Sequence, residues 1–233
     1  MSSKQARGTL ALIGGGEWSE GCRGFDATLL EAASAAEVVV LPTAAAFEHP
    51  DRAVERARVH FEALGAAVKP LGVLHRGEAE ADDVAATAGS ARFVYLSDGS
   101  PLHLRSVLKD SPLFEALLTA YQGGAVLAAS GAGATVLCDP MVDPRGGAYT
   151  VGLGVVLGLA VFPYHGTAAD HLRERSIDLL PESASLVGID EQTALVREPA
   201  GAWRVAGAGR VSVYENGEAV VFEAGRVVDR LTV

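Results

Sequence analysis

The segment Leu127-Ala128-Ala129-Ser130-Gly131-Ala132-Gly133-Ala134-Thr135 changes character at its midpoint. Gly123-Gly124 closes a preceding helix, residues 125–129 are wholly apolar and of strand length, and residues 130–135 turn into a helix. A tight strand-to-helix elbow needs small residues two before and two after its tip, because the backbone folds back sharply there. Two registers meet that need. With Ser130 at the tip the flanks are Ala128 and Ala132; with Gly131 at the tip they are Ala129 and Gly133. The first register presents a hydroxyl, and the helix start behind it offers amide donors to a developing oxyanion. A Gly/Ala-rich turn that merely packs a helix close to a strand has the same spacing.

Upstream of the elbow, short apolar runs alternate with longer amphipathic ones. Residues 9–13, Glu37–Leu41, 67–74 and 92–96 read as strands, and 26–34, 50–64, 78–88, Pro101–Leu108 and 112–120 as helices. Pro50, Pro101 and Pro112 each suit a first helical turn, where the missing N–H costs nothing. In the helix from Pro50, the residues Val54, Ala57, Val59, Phe61 and Leu64 lie broadly on one face. Strands without polar alternation are what a parallel sheet covered on both faces requires. The pattern predicts an α/β fold: a doubly wound, mostly parallel sheet with helices on both faces. From about residue 180 the texture becomes a series of short β runs (186–189, 194–196, 203–205, 211–214, 219–222 and 227–231), with a hairpin signal at Glu215-Asn216-Gly217-Glu218. A C-terminal antiparallel β extension on the same domain follows.

Composition sets the outer bounds. With 233 residues, 49% of them hydrophobic and 21% charged, the chain suits one globular domain. A formal net charge of −10 disfavours nucleic acid and anionic membrane as partners. There is no apolar run of about 18 residues, and the polar N-terminus, with three glycines breaking the apolar stretch after it, is not expected to be a signal peptide. Cys22 and Cys138 read as two buried thiols of a reducing cytoplasm. Neither a zinc-ligand spacing nor a nucleotide-binding glycine motif is present, so neither metal nor cofactor is expected.

The elbow region resembles the serine peptidase family of cyanophycinase and the aspartyl dipeptidase peptidase E, which has a glutamine-amidotransferase-like fold. Ala129-Ser130-Gly131-Ala132-Gly133-Ala134 lies, without gaps, on that family's elbow. Leu12-Ile13-Gly14-Gly15-Gly16-Glu17 and Leu41-Pro42-Thr43-Ala44-Ala45 resemble its turns after the first two strands. Val94-Tyr95-Leu96-Ser97-Asp98-Gly99-Ser100-Pro101-Leu102 takes the place of its oxyanion-side turn. Val161-Phe162-Pro163-Tyr164-His165 resembles the element that carries the base, and Gly188-Ile189-Asp190-Glu191-Gln192-Thr193-Ala194 a further segment. Order and spacing hold over about residues 9–196, leaving 197–233 as the β-rich extension of a single family-like domain.

The departures matter as much as the matches. In the ungapped register the family's nucleophile position is Gly131, which has no side chain to attack with, and Ser130 precedes it. At the oxyanion-side turn the family's first glycine becomes Asp98, followed by Gly99, Ser100 and Pro101, and the aspartate before the histidine becomes Pro163. A carboxylate beside an oxyanion would repel it. His165, at a strand end, is the candidate base. Asp190 and Glu191 orient His165 or bind a substrate amine, or else cap the turn after their strand. His60, His75, His103 and His171 read as surface residues, and 139–147 as a polar connector.

Two functions follow from these readings. One is a peptidase-like protein with lost or weakened hydrolysis, a pseudoenzyme with a cleft for a small molecule or partner. The other is a serine hydrolase of small peptides or amides using Ser130 and His165, for which the resemblance implies an acidic dipeptide or aspartyl-linked substrate. Candidate site residues are Ser130, His165, Glu191 and the Gly131 position for catalysis, and Asp98, Gly99, Ser100, Ala132 and Asp190 for oxyanion or substrate binding. A small peptide or amino-acid-like ligand and a homodimer are the expected partners.

Overall fold

The structure is a computed structural model that describes residues 7–215 and 217–231. In chain order the strands are β1 (Leu10–Ile13), β2 (Glu37–Leu41), β3 (Ala67–Pro70), β4 (Phe93–Leu96) and β5 (Val126–Ser130). Four two-residue strands follow: β6 (Cys138–Asp139), β7 (Met141–Val142), β8 (Tyr149–Thr150) and β9 (Val156–Leu157). The last six are β10 (Leu159–Phe162), β11 (Ser185–Ile189), β12 (Thr193–Arg197), β13 (Trp203–Gly207), β14 (Arg210–Glu215) and β15 (Glu218–Glu223). The helices are α1 (Arg23–Ala33), α2 (Pro50–Glu62), α3 (Asp82–Ser90), α4 (Pro101–Leu108), α5 (Pro112–Gln122), α6 (Ala132–Leu137) and α7 (Asp170–Asp178).

A seven-stranded sheet in the order β13-β12-β1-β5-β4-β2-β3 forms the centre. From β1 to β3 its neighbours pair in parallel, and β12 adds antiparallel to β1. Every residue of β1, β4 and β5 is buried, as a sheet covered on both faces demands. Parity along the strands sorts the core. Ala11, Ile13, Val38, Val40, Tyr95 and Ala128 pack with Phe25 and Leu29 of α1 and Phe61 of α2. Their neighbours Leu12, Val39, Leu41, Leu96 and Ala129 pack with Leu104 and Leu108 of α4 and Leu117 of α5. Each fully buried leucine or phenylalanine contributes about 1.5–3 kcal/mol of transfer free energy.

The helix starts follow the proline signals. Pro101 and Pro112 stand directly after Ser100 and Ser111, whose hydroxyls accept from the amides of His103 (3.3 Å) and Phe114 (3.1 Å). Strand β3 stops at Pro70, short of the expected residue 74. The helix expected over 78–88 is divided, because the Glu78 carboxylate turns back to the amides of Leu74 (2.6 Å) and His75 (2.8 Å). A short 3₁₀ turn, Arg76–Glu80, results, and α3 begins after it.

The C-terminal strands divide between two sheets. β12 and β13 extend the central sheet, whereas β14 and β15 join β10 and β11 in a second sheet ordered β10-β11-β14-β15. The expected strand over 227–231 is a single bridge from Val227 to Arg204, with the Val228 amide bonding the Trp203 carbonyl at 2.8 Å. Glu215 pairs with Glu218 as the hairpin signal requires, and Gly217 has φ +80°; Asn216 lies outside the described residues. Residues 138–150 are more ordered than a connector, since Met141 and Val142 are buried and β7 pairs with β8. Among the described residues no helix is long and apolar enough to cross a membrane.

Two sequence expectations for α2 need correction. His60 is buried, not superficial, and its Nε2 lies 2.8 Å from Oδ2 of Asp26, which is itself fully buried on α1. Val59 is 63% exposed, because the inward face of α2 is formed by Ala57, His60 and Phe61. The buried pair replaces part of the apolar stripe, a substitution that apolar periodicity does not register.

Candidate active site

The C-terminal ends of β1, β4 and β5 converge at one edge of the central sheet, where open α/β sheets hold their ligands. Gly131 is the tip of the elbow. Its φ of +48° and ψ of −105° form a backbone that side-chain-bearing residues rarely adopt. Its amide bonds the Ile13 carbonyl at 2.9 Å, and its carbonyl accepts from the Thr135 amide and hydroxyl, both at 3.0 Å. Ser130 is the last residue of β5 and is completely buried, and its Oγ donates to Oε2 of Glu17 at 2.9 Å. The hydroxyl therefore lies within the protein interior, on the turn that follows β1.

Directly over the tip is the carboxylate of Asp98. Its Oδ1 accepts from the amides of Gly99 and Ala132, both at 2.7 Å. Its Oδ2 accepts from the hydroxyl of Tyr164. Two backbone amides from different turns thus converge on one oxygen, the arrangement that stabilises an oxyanion, and here the oxygen belongs to the chain itself. The space above Gly131 is consequently occupied. An ideal Cβ at that position would lie 2.1 Å from Asp98 Oδ1 and 2.2 Å from its Cγ. Glycine at 131 and aspartate at 98 are two halves of one packing solution.

His165 faces elsewhere. Tyr164 takes a left-handed conformation (φ +54°), so consecutive side chains diverge. Tyr164 crosses Gly15 to reach Asp98, whereas His165 packs against Gly188; both glycines leave room that a Cβ would fill. The Nε2 of His165 is 2.7 Å from the Tyr214 hydroxyl, and its Nδ1 is at ion-pair distance, 3.5 Å, from Asp190 Oδ1. Among the described residues, no hydrogen bond joins His165 to Ser130, Gly131 or Asp98. Asp190 Oδ2 also accepts from the Arg210 amide at 3.2 Å. Glu191 accepts from the Thr167 hydroxyl at 2.9 Å. Ser100 is occupied as the cap of α4.

The electrostatics follow burial. The Glu17 carboxyl is pushed above the ordinary glutamate range, first by burial and then by the Asp98 charge; its backbone amide, Ser130 and Arg56 oppose the shift. Burial also raises the Tyr164 phenol, and the adjacent Asp98 carboxylate adds to the effect. His165 is held below its ordinary value by burial, against the pull of Asp190 in the other direction.

Asp98 and Tyr164 form a partition between two hollows. On one side is a cavity of about 260 Å³ with mainly apolar walls, including Val142, Phe162, Pro163 and Leu172. Asp143 reaches it too, with its carboxylate bound to Arg145 (2.5 Å). On the other is a cleft of about 440 Å³ edged by charged side chains of α2 and by Glu191. No group of three His, Cys, Asp or Glu side chains suited to a metal ion occurs among the described residues.

Sequence reasoning brought Asp98, Gly99, Gly131 and Ala132 to one place, and the structure brings them into contact. It missed Glu17, Tyr164 and Tyr214 as partners. Glu17 and Tyr164 stood inside segments already singled out by their glycines and histidine. Tyr214, within an ordinary strand, carried no signal.

This geometry has known relatives. Peptidase family S51 matches residues 10–202. A cyanophycinase of Trichormus variabilis is 29% identical over 232 residues, covering 92% of this chain and 76% of that protein. A cyanophycinase of Synechococcus elongatus is 27% identical, covering 90% of this chain and 68% of the relative. Among solved structures, a peptidase from an acI-B1 Actinobacterium superposes with a TM-score of 0.88 at 28% identity, covering 97% and 98% of the two chains. A putative peptidase E from Listeria monocytogenes EGD-e shares the fold, with a TM-score of 0.62 at 14% identity and coverage of 94% and 100%. The family match runs from β1 through the elbow and β12 to the start of the last strands, and the chain belongs to Peptidase family S51.

Proposed function

We propose that this S51 protein does not hydrolyse peptides by the elbow route, and that its site has become a receptor for a small peptide or amino-acid-like ligand. One observation carries this reading: Asp98 Oδ1 accepts from both the Gly99 and Ala132 amides at 2.7 Å, directly over the glycine at the tip. An acyl-transfer site needs a nucleophile, free oxyanion donors and an available base. Here the tip has no side chain, the donors are taken, and His165 Nε2 is engaged by Tyr214. Ser130, the remaining hydroxyl, is buried against Glu17. Support for a cytoplasmic setting comes from Cys22 and Cys138, which are free and buried.

The test is incubation of the purified chain with aspartyl dipeptides and longer aspartyl-linked peptides, together with a serine-directed fluorophosphonate. No hydrolysis and no label are expected. Turnover or labelling that disappears in Ser130→Ala would overturn the proposal and establish Ser130 as the nucleophile of a working hydrolase.

A further inference from the structure

The cleft beside the elbow carries a charge layout that the closed site does not use. The reading below rests on the proposal that the chain binds without cleaving. One wall of the cleft is the first two turns of α2, where Arg52 and Arg56 are one turn apart with His49 just before them. The Arg52 guanidinium has no hydrogen-bonded or ion-paired partner among the described residues. It also stands in the first turn of a helix, where a cation is unfavourable to the helix dipole. Arg56 is fixed in place: its Nη2 donates to the Glu17 carbonyl at 2.7 Å, and its guanidinium lies 5.8 Å from the Trp18 ring centroid. It makes no ion pair among the described residues, so its charge is positioned without being neutralised.

The rest of the lining is acidic, with Glu48 exposed just before His49 and three further carboxylates that are not equivalent. Asp98 is saturated by three donors, and Glu17 is buried against Ser130. Glu191 accepts a single hydrogen bond, from Thr167, and is partly exposed at the cleft. The cleft thus offers two cations, one of them fixed in place, and an under-used carboxylate in Glu191. Its volume of about 440 Å³ is within the range of small-molecule sites.

Backbone strain points to the same place. His49 (φ +61°) and Tyr164 (φ +54°) both line the cleft, while Trp18 (φ +59°) and Gln192 (φ +56°) directly follow its residues Glu17 and Glu191. Positive φ is uncommon outside glycine and gathers at sites that hold a ligand.

We infer that this cleft binds a small zwitterion, a free α-amino acid, with its carboxylate on Arg52 and Arg56 and its ammonium on Glu191. Guanidinium groups are matched to carboxylates by planar, charge-assisted hydrogen bonds. A ligand lacking either charge leaves one wall unpaired. Acetate and methylammonium, each carrying one of the two charges, therefore bind much more weakly than the amino acid.

The experiment is a thermal-shift screen of the intact chain against the twenty L-α-amino acids at about 10 mM, with acetate and methylammonium as controls. The strongest hit is then titrated by calorimetry. At least one amino acid is expected to raise Tm by about 5 °C or more. Arg52→Gln and Glu191→Gln should each weaken its Kd at least tenfold while moving the Tm of the free protein by no more than about 3 °C. If no amino acid shifts Tm, or if binding is indifferent to both substitutions, the inference falls and the closed elbow stands. Hydrolysis of an aspartyl dipeptide by the wild-type chain would instead overturn the closed elbow, whatever binds in the cleft.

Discussion

Placing a serine at position 131 forces a choice on the side chain opposite. In Gly131→Ser the new Cβ would fall 2.1 Å from Asp98 Oδ1, so the carboxylate must leave its amides. Two costs arise. A non-glycine residue at φ +48°, ψ −105° costs on the order of 1–2 kcal/mol. Expelling Asp98 forfeits two amide bonds and the Tyr164 contact. Hydration returns most of that loss, leaving the equivalent of one charged hydrogen bond, about 2 kcal/mol. The single substitution should therefore cost about 3–4 kcal/mol and lower Tm by roughly 6–16 °C. Asp98→Ala alone pays only the second cost, about 2 kcal/mol. In Asp98→Ala/Gly131→Ser the second cost is incurred once, so the double variant loses about 3–4 kcal/mol rather than the 5–6 that simple addition gives. Urea denaturation of the four proteins measures this coupling directly. Additivity to within about 0.5 kcal/mol would refute the interlock between Asp98 and Gly131, and with it the principal support for a closed site.

Three further outcomes are expected. Glu17→Gln should be more stable than wild type at neutral pH. The folded state holds the Glu17 proton above the ordinary glutamate range, so its contribution is complete at acid pH and lost as pH rises through the folded value; Tm curves should converge near pH 4 and separate above it, and a constant gap would contradict this. The His165 imidazole should titrate below about 6.5 by NMR, and lower still in Asp190→Asn, which removes the carboxylate favouring its charged form. Its contribution to stability is full above that pH and falls away as pH drops through the window beneath; an upward shift in the variant would be inconsistent with the geometry. His60→Ala should cost about 3–5 kcal/mol in urea denaturation, because it strands the fully buried Asp26 carboxyl without its partner. A loss under about 1 kcal/mol would show that the pair is not what holds α1 to α2 there.

What could be read from the sequence was what local chemistry writes into it. The apolar strands at Glu37–Leu41 and 125–129, and the prolines at 50, 101 and 112, gave the central sheet and the starts of three helices. The partition of the final strands between two sheets was not legible, because β12 and β14 have the same short apolar character and differ only in which distant neighbour they find. Around the elbow, sequence reasoning drew Asp98 as a charge that would repel an oxyanion. Its actual place, bonded to the donors an oxyanion would use, depends on a contact across 34 residues to Ala132. His60 was misread for a similar reason: its partner Asp26 is 34 residues away on another helix.

Asp98 and Gly131 also impose a direction on how such a site can change. A serine arriving first at 131 meets a carboxylate already in its space, whereas an aspartate lost first at 98 leaves an unstrained glycine and two open amides. Any route from this chain to a serine at the tip therefore runs through position 98 before 131. The closure acts as a latch with one order of release, and a library that varies the two positions one at a time, tip first, would find the site locked.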